Sequence, residues 1–170
     1  MQRLAVRRNT IKLNKLESGQ ILYFTLQNTL PAGHILALNT RLGTLSYLST
    51  DEQKQPRLLA QQQFTQSELS LLRPLMEHYP QYCPHEVMFA NFYNGIVTEQ
   101  TIARARIRLQ EAAEYGTWDH EMRPVRNVLS RTRLKLKDFH LDILSILETG
   151  YMLLFTTGAR SAPESGARGR

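Results

Sequence analysis

Residues 125–154 read VRNVLSRTRLKLKDFHLDILSILETGYMLL. The first half has the period of a helix. Val125, Leu129, Thr132 and Leu136 fall on one side, and Arg126, Ser130, Arg133 and Lys137 fall opposite them. Asn127, Arg131 and Lys135 flank that cationic side. The second half carries a Thr149-Gly150-Tyr151 turn between apolar runs, which predicts a β-hairpin over residues 141–155. Pro124 is a favourable first helical residue, so the helix is expected to open there and run to about Lys137. A basic amphipathic helix joined directly to a hairpin is the feature around which the rest of the chain is read.

Three more helices are expected upstream. Thr65-Gln66-Ser67-Glu68 has the form of a capping box, in which the Thr65 hydroxyl and the Glu68 carboxylate each accept the other's backbone N–H. Phe64 and Leu69 are placed to staple the same end. Leu69, Leu72, Leu75 and Met76 line one face, and Pro74 inside that pattern predicts a bend or an irregular turn. Cys83-Pro84 is expected to start a second helix, with Val87, Met88 and Phe92 inward and Asn94-Gly95 closing it. Residues 98–115 read as a third helix with Ile102, Ala105, Leu109 and Ala112 on one face, stopped by Gly116.

Residues 1–63 have the alternation of strands. Ile11 and Leu13 alternate with polar neighbours, and residues 21–26 form a second β-prone run. Pro31-Ala32-Gly33 is a turn, and residues 35–38 and 44–48 flank the hairpin loop Arg41-Leu42-Gly43. A polar turn over residues 51–56 leads to one more strand over residues 57–62. Together these predict a small antiparallel sheet. The tail, residues 156–170, is rich in Gly, Ala, Ser and Arg and is expected to be disordered.

Composition narrows the function. A chain of 170 residues with 42% hydrophobic content can bury one ordinary core. No apolar run approaches the roughly 20 residues that span a bilayer, and the basic start MQRLAVRRNT is followed by no signal-peptide stretch. A cytoplasmic protein with no membrane partner is expected. Net charge is +6 and the isoelectric point is near 9.7, which suits a polyanionic partner. Cys83 is the single cysteine, so an intrachain disulfide is excluded. His78, Cys83 and His85 lack the ligand spacing of a metal site, and the two histidines suit a helix end and the surface of the second helix. Cys83 has no identifiable partner to orient it as a nucleophile. Trp118, Asp119, His120 and Glu121 fit an anchored loop better than a catalytic acid. No glycine-rich phosphate loop or serine elbow is present. A non-enzymatic protein without metal or cofactor is the expectation.

The order of sheet, capped helix, second helix, basic helix and hairpin resembles the OmpR/PhoB-type winged-helix DNA-binding domain. Phe64-Thr65-x-x-Glu68-x-x-Leu71-Leu72 is similar to that family's first-helix entry. His78-Tyr79-Pro80, then Pro84-His85-Glu86-Val87 and Phe92-Tyr93-Asn94-Gly95, resembles its second helix. Val125-x-x-Val128-Leu129-Ser130-Arg131-x-Arg133-x-Lys135-Leu136 resembles its recognition helix, and Ile146-x-x-x-Gly150-Tyr151-x-Leu153 its wing. The likeness covers about residues 35–155. It departs from the family in residues 96–123, which hold an extra helix where the family has a short loop. It departs again at Leu147 and Glu148, which stand where the family wing often has arginine and glycine. A stand-alone domain, without a phosphoacceptor receiver domain ahead of the match, is expected.

The resemblance implies an α+β winged helix-turn-helix with an amino-terminal antiparallel sheet, an inserted helix and a carboxy-terminal wing. Residues 1–34 are then an amino-terminal β-rich extension, residues 35–155 the winged-helix domain with insertion 96–123, and residues 156–170 the tail. It implies a sequence-specific regulator of transcription on double-stranded DNA, bound as a tandem homodimer with the basic helix in the major groove. The expected DNA contacts are Arg126, Asn127, Ser130, Arg131, Arg133, Lys135 and Lys137, with Arg104, Arg108 and Arg123 as secondary phosphate contacts. A basic face on an ordinary core helix is the plainer reading of the same residues. The alternative function is a winged-helix interaction module that docks on RNA polymerase or another regulator. The 96–123 segment would then be the docking surface, a role the apolar and acidic Leu147 and Glu148 also suit.

Overall fold

In the computed structural model, residues 20–50, 52–95 and 97–156 are described. The expected strand at Ile11 and Leu13 and the tail from residue 157 onward lie outside them.

Alternating apolar residues build a four-stranded antiparallel sheet from β1 (Ile21–Phe24), β2 (His34–Asn39), β3 (Thr44–Thr50) and β4 (Pro56–Gln63), in that spatial order. Register sets Leu22 beside Leu38 and Leu38 beside Leu45, and sets Phe24 beside Leu36 and Leu36 beside Tyr47. Those six side chains share one face and are all buried. β1 bonds to β2 along its whole length, so the described part of the expected extension shares one sheet with the strands of the expected main domain. At the β2–β3 turn the Asn39 side-chain oxygen accepts the N–H groups of Arg41 and Leu42 at 3.1 and 3.0 Å. Gly43 comes next at φ +70°, and a Cβ there would stand 2.6 Å from the Phe64 carbonyl oxygen. The Phe64 N–H donates to the Gly43 carbonyl at 2.7 Å, which fastens the turn to the entry of the first helix.

That helix, α1 (Gln66–His78), starts at the expected capping box. The Glu68 N–H donates to the Thr65 hydroxyl at 3.2 Å and the Thr65 N–H to the Glu68 carboxylate at 2.9 Å. The helix is continuous past Pro74, the residue at which a bend or an irregular turn is expected. The Pro74 ring is buried, while Ser70, whose carbonyl loses its helical donor, is only half-buried.

Cys83-Pro84 differs from expectation. It forms a two-residue strand, β5 (Cys83–Pro84), and α2 (His85–Asn94) begins one residue later. β5 pairs with β7 (Gly150–Phe155), which pairs with β6 (Leu141–Ile146), in the order β5-β7-β6. Two residues carry no periodicity, and the pairing partner lies far along the chain, so local pattern had nothing to display.

α3 (Glu99–Glu114) buries Ala105, Leu109 and Ala112 and is capped by Thr98 and Thr101. The fourth helix also differs from expectation. α4 runs Trp118–Leu136, so Pro124 sits within it and the Trp118-Asp119-His120-Glu121 segment is its first turn instead of a loop. Pro124 is exposed, as is His120, whose carbonyl it cannot serve. Asp119 and Glu121 near the start complement the helix dipole. A 3-10 turn, Lys137–Phe139, leads into the β6–β7 hairpin, whose turn is Leu147-Glu148-Thr149 and not the expected Thr149-Gly150-Tyr151, because Gly150 and Tyr151 already pair as strand with β5 and β6.

Among the described residues the fold is therefore α+β, with an amino-terminal antiparallel sheet, four α-helices and a carboxy-terminal hairpin. One buried cluster joins the sheet face to Leu71, Leu72, Leu75 and Met76 of α1, Met88 of α2, Val125 and Leu129 of α4, and Ile143 and Leu153 of the hairpin. α1 packs against α2, α4 and β7, and α3 lies on α2 and α4. Among the described residues no helix is long and apolar enough to cross a membrane.

The β5–β7 crossing depends on Gly150. A Cβ at that position would run into the Cys83 carbonyl group and lie 3.0 Å from Pro84 Cα, both backbone atoms that cannot move aside. Gly150→Ala is expected to lower unfolding free energy by about 2–4 kcal/mol through overpacking and loss of the pairing. Urea denaturation of the two proteins checks this, and an unchanged midpoint would contradict the close packing.

Candidate nucleic-acid interface

α4 is divided into three strips by what its side chains touch. Met122, Val125, Val128, Leu129, Thr132 and Leu136 are buried and fix its inner side. The steps 123, 127, 130 and 134 alternate by four and three residues, so Arg123, Asn127, Ser130 and Leu134 form one row along the outer side. All four are exposed, Leu134 at 64%. Ser130 bonds back to the Arg126 carbonyl at 3.0 Å.

The strip nearer the hairpin carries Arg126 and Arg133, with Lys137 just past the end of the helix. Arg133 grips Asp142 of β6 side-on, through Nε to Oδ1 and through Nη2 to Oδ2 at 3.0 Å. The Arg133 guanidinium holds the Asp142 carboxyl below the usual carboxylate range against partial burial, with help from the Ile143 N–H and the Lys137 charge. Arg126 donates to the Asp119 carboxylate and carbonyl, both at 3.0 Å. Lys137 is exposed. The groove between this strip and the hairpin, about 210 Å³, is lined by Arg126, Ser130, Arg133, Ser145 and Tyr151 with apolar Leu129 and Ile143.

The strip on the α1 side carries Arg131 and Lys135. Lys135 Nζ lies 2.7 Å from Glu68 Oε2 and 3.0 Å from the Gln63 carbonyl, and stands over the Phe64 ring at 5.4 Å. Arg131 Nε is 4.0 Å from the other Glu68 oxygen. The Glu68 side chain is 2% exposed. Burial opposes its ionisation, but the Lys135 bond, the Thr65 N–H and the two cationic charges outweigh it and hold the carboxyl low. Lys135, expected as a DNA contact, is thus spent on the capping box of α1. Arg126, Arg131 and Arg133 keep 44%, 61% and 56% side-chain exposure, so each still presents part of its guanidinium outward.

The base of α4 is set by His85, which was expected on the surface of α2 and is buried instead. Its ring meets Trp118 and Tyr151 edge-on, each at a centroid distance of 5.2 Å. Its Nδ1 has no hydrogen-bond partner, and burial pushes the imidazole pKa down despite nearby Glu86. A neutral aromatic wedge between α2, α4 and β7 is what these contacts make. Cys83 is buried beside it, and burial with the Glu86 and Glu77 charges pushes the thiol up to about 12, which keeps it protonated and a poor nucleophile. His78 bonds the Pro74 carbonyl at 2.7 Å.

Of the secondary candidates, Arg108 pairs with Glu121 at 3.0 Å. Arg104 and Arg123 are exposed and make no ion pair among the described residues. α3 lies on the α2 side of α4, and Arg123, Asn127, Ser130 and Leu134 remain exposed beside it. The sequence pattern missed Leu134, Ser145 and Tyr151. Leu134 was findable, being the one leucine of α4 outside the apolar stripe; the hairpin pair depends on strand register and was not. Comparison with protein-family models, with curated proteins and with solved structures finds no match.

Lys135→Ala would leave a buried carboxylate with a weakened partner set. The expected cost is about 2–3 kcal/mol of unfolding free energy, below that of a fully buried pair because Lys135 is 29% exposed. Chemical denaturation measures it. A loss of DNA affinity with stability intact would instead return Lys135 to the outer surface.

Proposed function

We propose that this chain is a winged-helix protein that binds double-stranded DNA sequence-specifically and regulates transcription, with α4 in the major groove and the β6–β7 hairpin as the wing. The observation that carries the reading is the outer row of α4, Arg123, Asn127, Ser130 and Leu134, which no other element covers. At 1.5 Å per residue the row is about 16 Å long, a length that matches roughly five base pairs of a groove wide enough for a helix. Asn127 offers the amide pair that reads adenine. Arg126, Arg131, Arg133 and Lys137 contribute mainly phosphate contacts, three of them from in-chain ion pairs that restrain their rotamers. Binding as a tandem homodimer goes with the same proposal, and binding, not catalysis, is the chemistry proposed.

A second reading, docking on RNA polymerase or another regulator, is favoured by the hairpin tip. Leu147 there is 86% exposed and Glu148 stands beside it at φ +56°, an apolar and acidic pair that does not suit a phosphate backbone.

The two readings separate in a gel shift of the full chain with random and genomic duplexes across a salt series. The DNA reading expects binding whose log affinity falls against log salt with a slope of about −3 to −5, one step of roughly 0.9 per phosphate contact. Absence of a shifted species at low salt would overturn it in favour of a protein partner.

A further inference from the structure

Where α2, α3 and α4 meet, a cleft of about 240 Å³ is lined by Tyr93, Arg108, His120, Glu121, Arg123 and Pro124. Its walls are held by contacts made before any ligand arrives. Tyr93, 50% exposed, meets the Phe89 ring at a tilt at 4.6 Å and the Phe92 ring edge-on at 4.9 Å between centroids. Arg108 is fixed between the Glu121 carboxylate at 3.0 Å and the Phe89 ring at 5.5 Å. Glu121 is the single acid in the lining and is committed to Arg108. Arg123 has no ion pair or hydrogen bond among the described residues, and His120 is exposed beside it. Two guanidinium groups, an imidazole and a phenol therefore converge against one satisfied carboxylate.

We infer that this cleft seats a phosphate group of the duplex backbone that flanks the groove read by α4. The inference rests on the DNA reading above and deepens it. Arg123 belongs both to the cleft and to the outer row of α4, one turn before Asn127, so a phosphate held here lies next to the bases the row reaches. The second guanidinium comes from α3, the inserted helix. The insertion is thereby a part of the nucleic-acid surface and extends the cationic track beyond α4 itself. The shared chemistry is a phosphate oxyanion, which either a backbone phosphodiester or free inorganic phosphate would supply.

The experiment uses the full chain and a bound duplex selected from random sequence, with one phosphate at a time replaced by neutral methylphosphonate. Wild type is expected to lose roughly threefold to tenfold in affinity at one flanking phosphate, the effect of one charged contact. Arg123→Gln, an exposed helix-compatible change, is expected to show a similar loss on the natural duplex, no further loss at that methylphosphonate, an unchanged base preference and a salt slope smaller in magnitude by about one. Nuclear magnetic resonance titration with inorganic phosphate alone is expected to give no saturable shift at Tyr93 or Arg123. Saturable binding of inorganic phosphate without a methylphosphonate effect would overturn the backbone assignment in favour of a free anion. Duplex binding indifferent to Arg123→Gln would overturn the cleft while leaving the DNA reading standing. Failure to select any duplex would remove both.

Discussion

The contact between Glu68 and Lys135 decides how the molecule can present itself. Glu68 caps α1 through the Thr65 N–H and, with the same oxygen, holds the Lys135 ammonium at 2.7 Å near the end of α4. A buried carboxylate tolerates so little exposure, 2%, only because three donors or cations reach it. The pair therefore locks α4 in rotation against the start of α1. The Arg133–Asp142 grip does the same on the opposite strip, against β6. Between the two clamps the row Arg123, Asn127, Ser130 and Leu134 faces outward.

This division of labour changes what the positive charge means. Counted along the sequence, the helix is densely cationic. In the fold, Arg126, Arg131, Arg133 and Lys135 each have a carboxylate within 4.0 Å, so the field above α4 is weaker than the count of cations suggests. Ion pairs at the surface contribute modestly to stability, yet they fix long side chains that would otherwise lose rotamer entropy on meeting a partner. A surface of this kind favours selectivity over non-specific adhesion, because its strongest cations are already partly neutralised.

Much of the architecture was legible in local pattern. The capping box at Thr65 and Glu68, the hairpin over residues 141–155, the third-helix face of Ala105, Leu109 and Ala112 and the strand runs over residues 35–38 and 44–48 all express near-neighbour rules that need no tertiary context. What escaped depends on distant partners. β5 exists because β7 crosses it, and Gly150 allows that approach. Pro124 reads as a helix start, but the favourable Asp119 and Glu121 and the packing of Trp118 on His85 carry the helix back past it. His85 is polar by type and buried by position, with two aromatic edges in place of hydrogen bonds. Of the candidate site, the basic face was visible from periodicity, whereas the commitment of Lys135 to Glu68 joins residues from opposite ends of the helical region.

The orientation of α4 is the central claim, and backbone amide shifts of the nitrogen-15-labelled chain on titration with a selected DNA duplex test it most directly. The account predicts that the largest perturbations fall at Arg123, Asn127, Ser130, Arg131 and Leu134, while Glu68 and Thr132 stay near their free positions. Perturbations concentrated on β1 to β4, with the outer row of α4 unmoved, would contradict it.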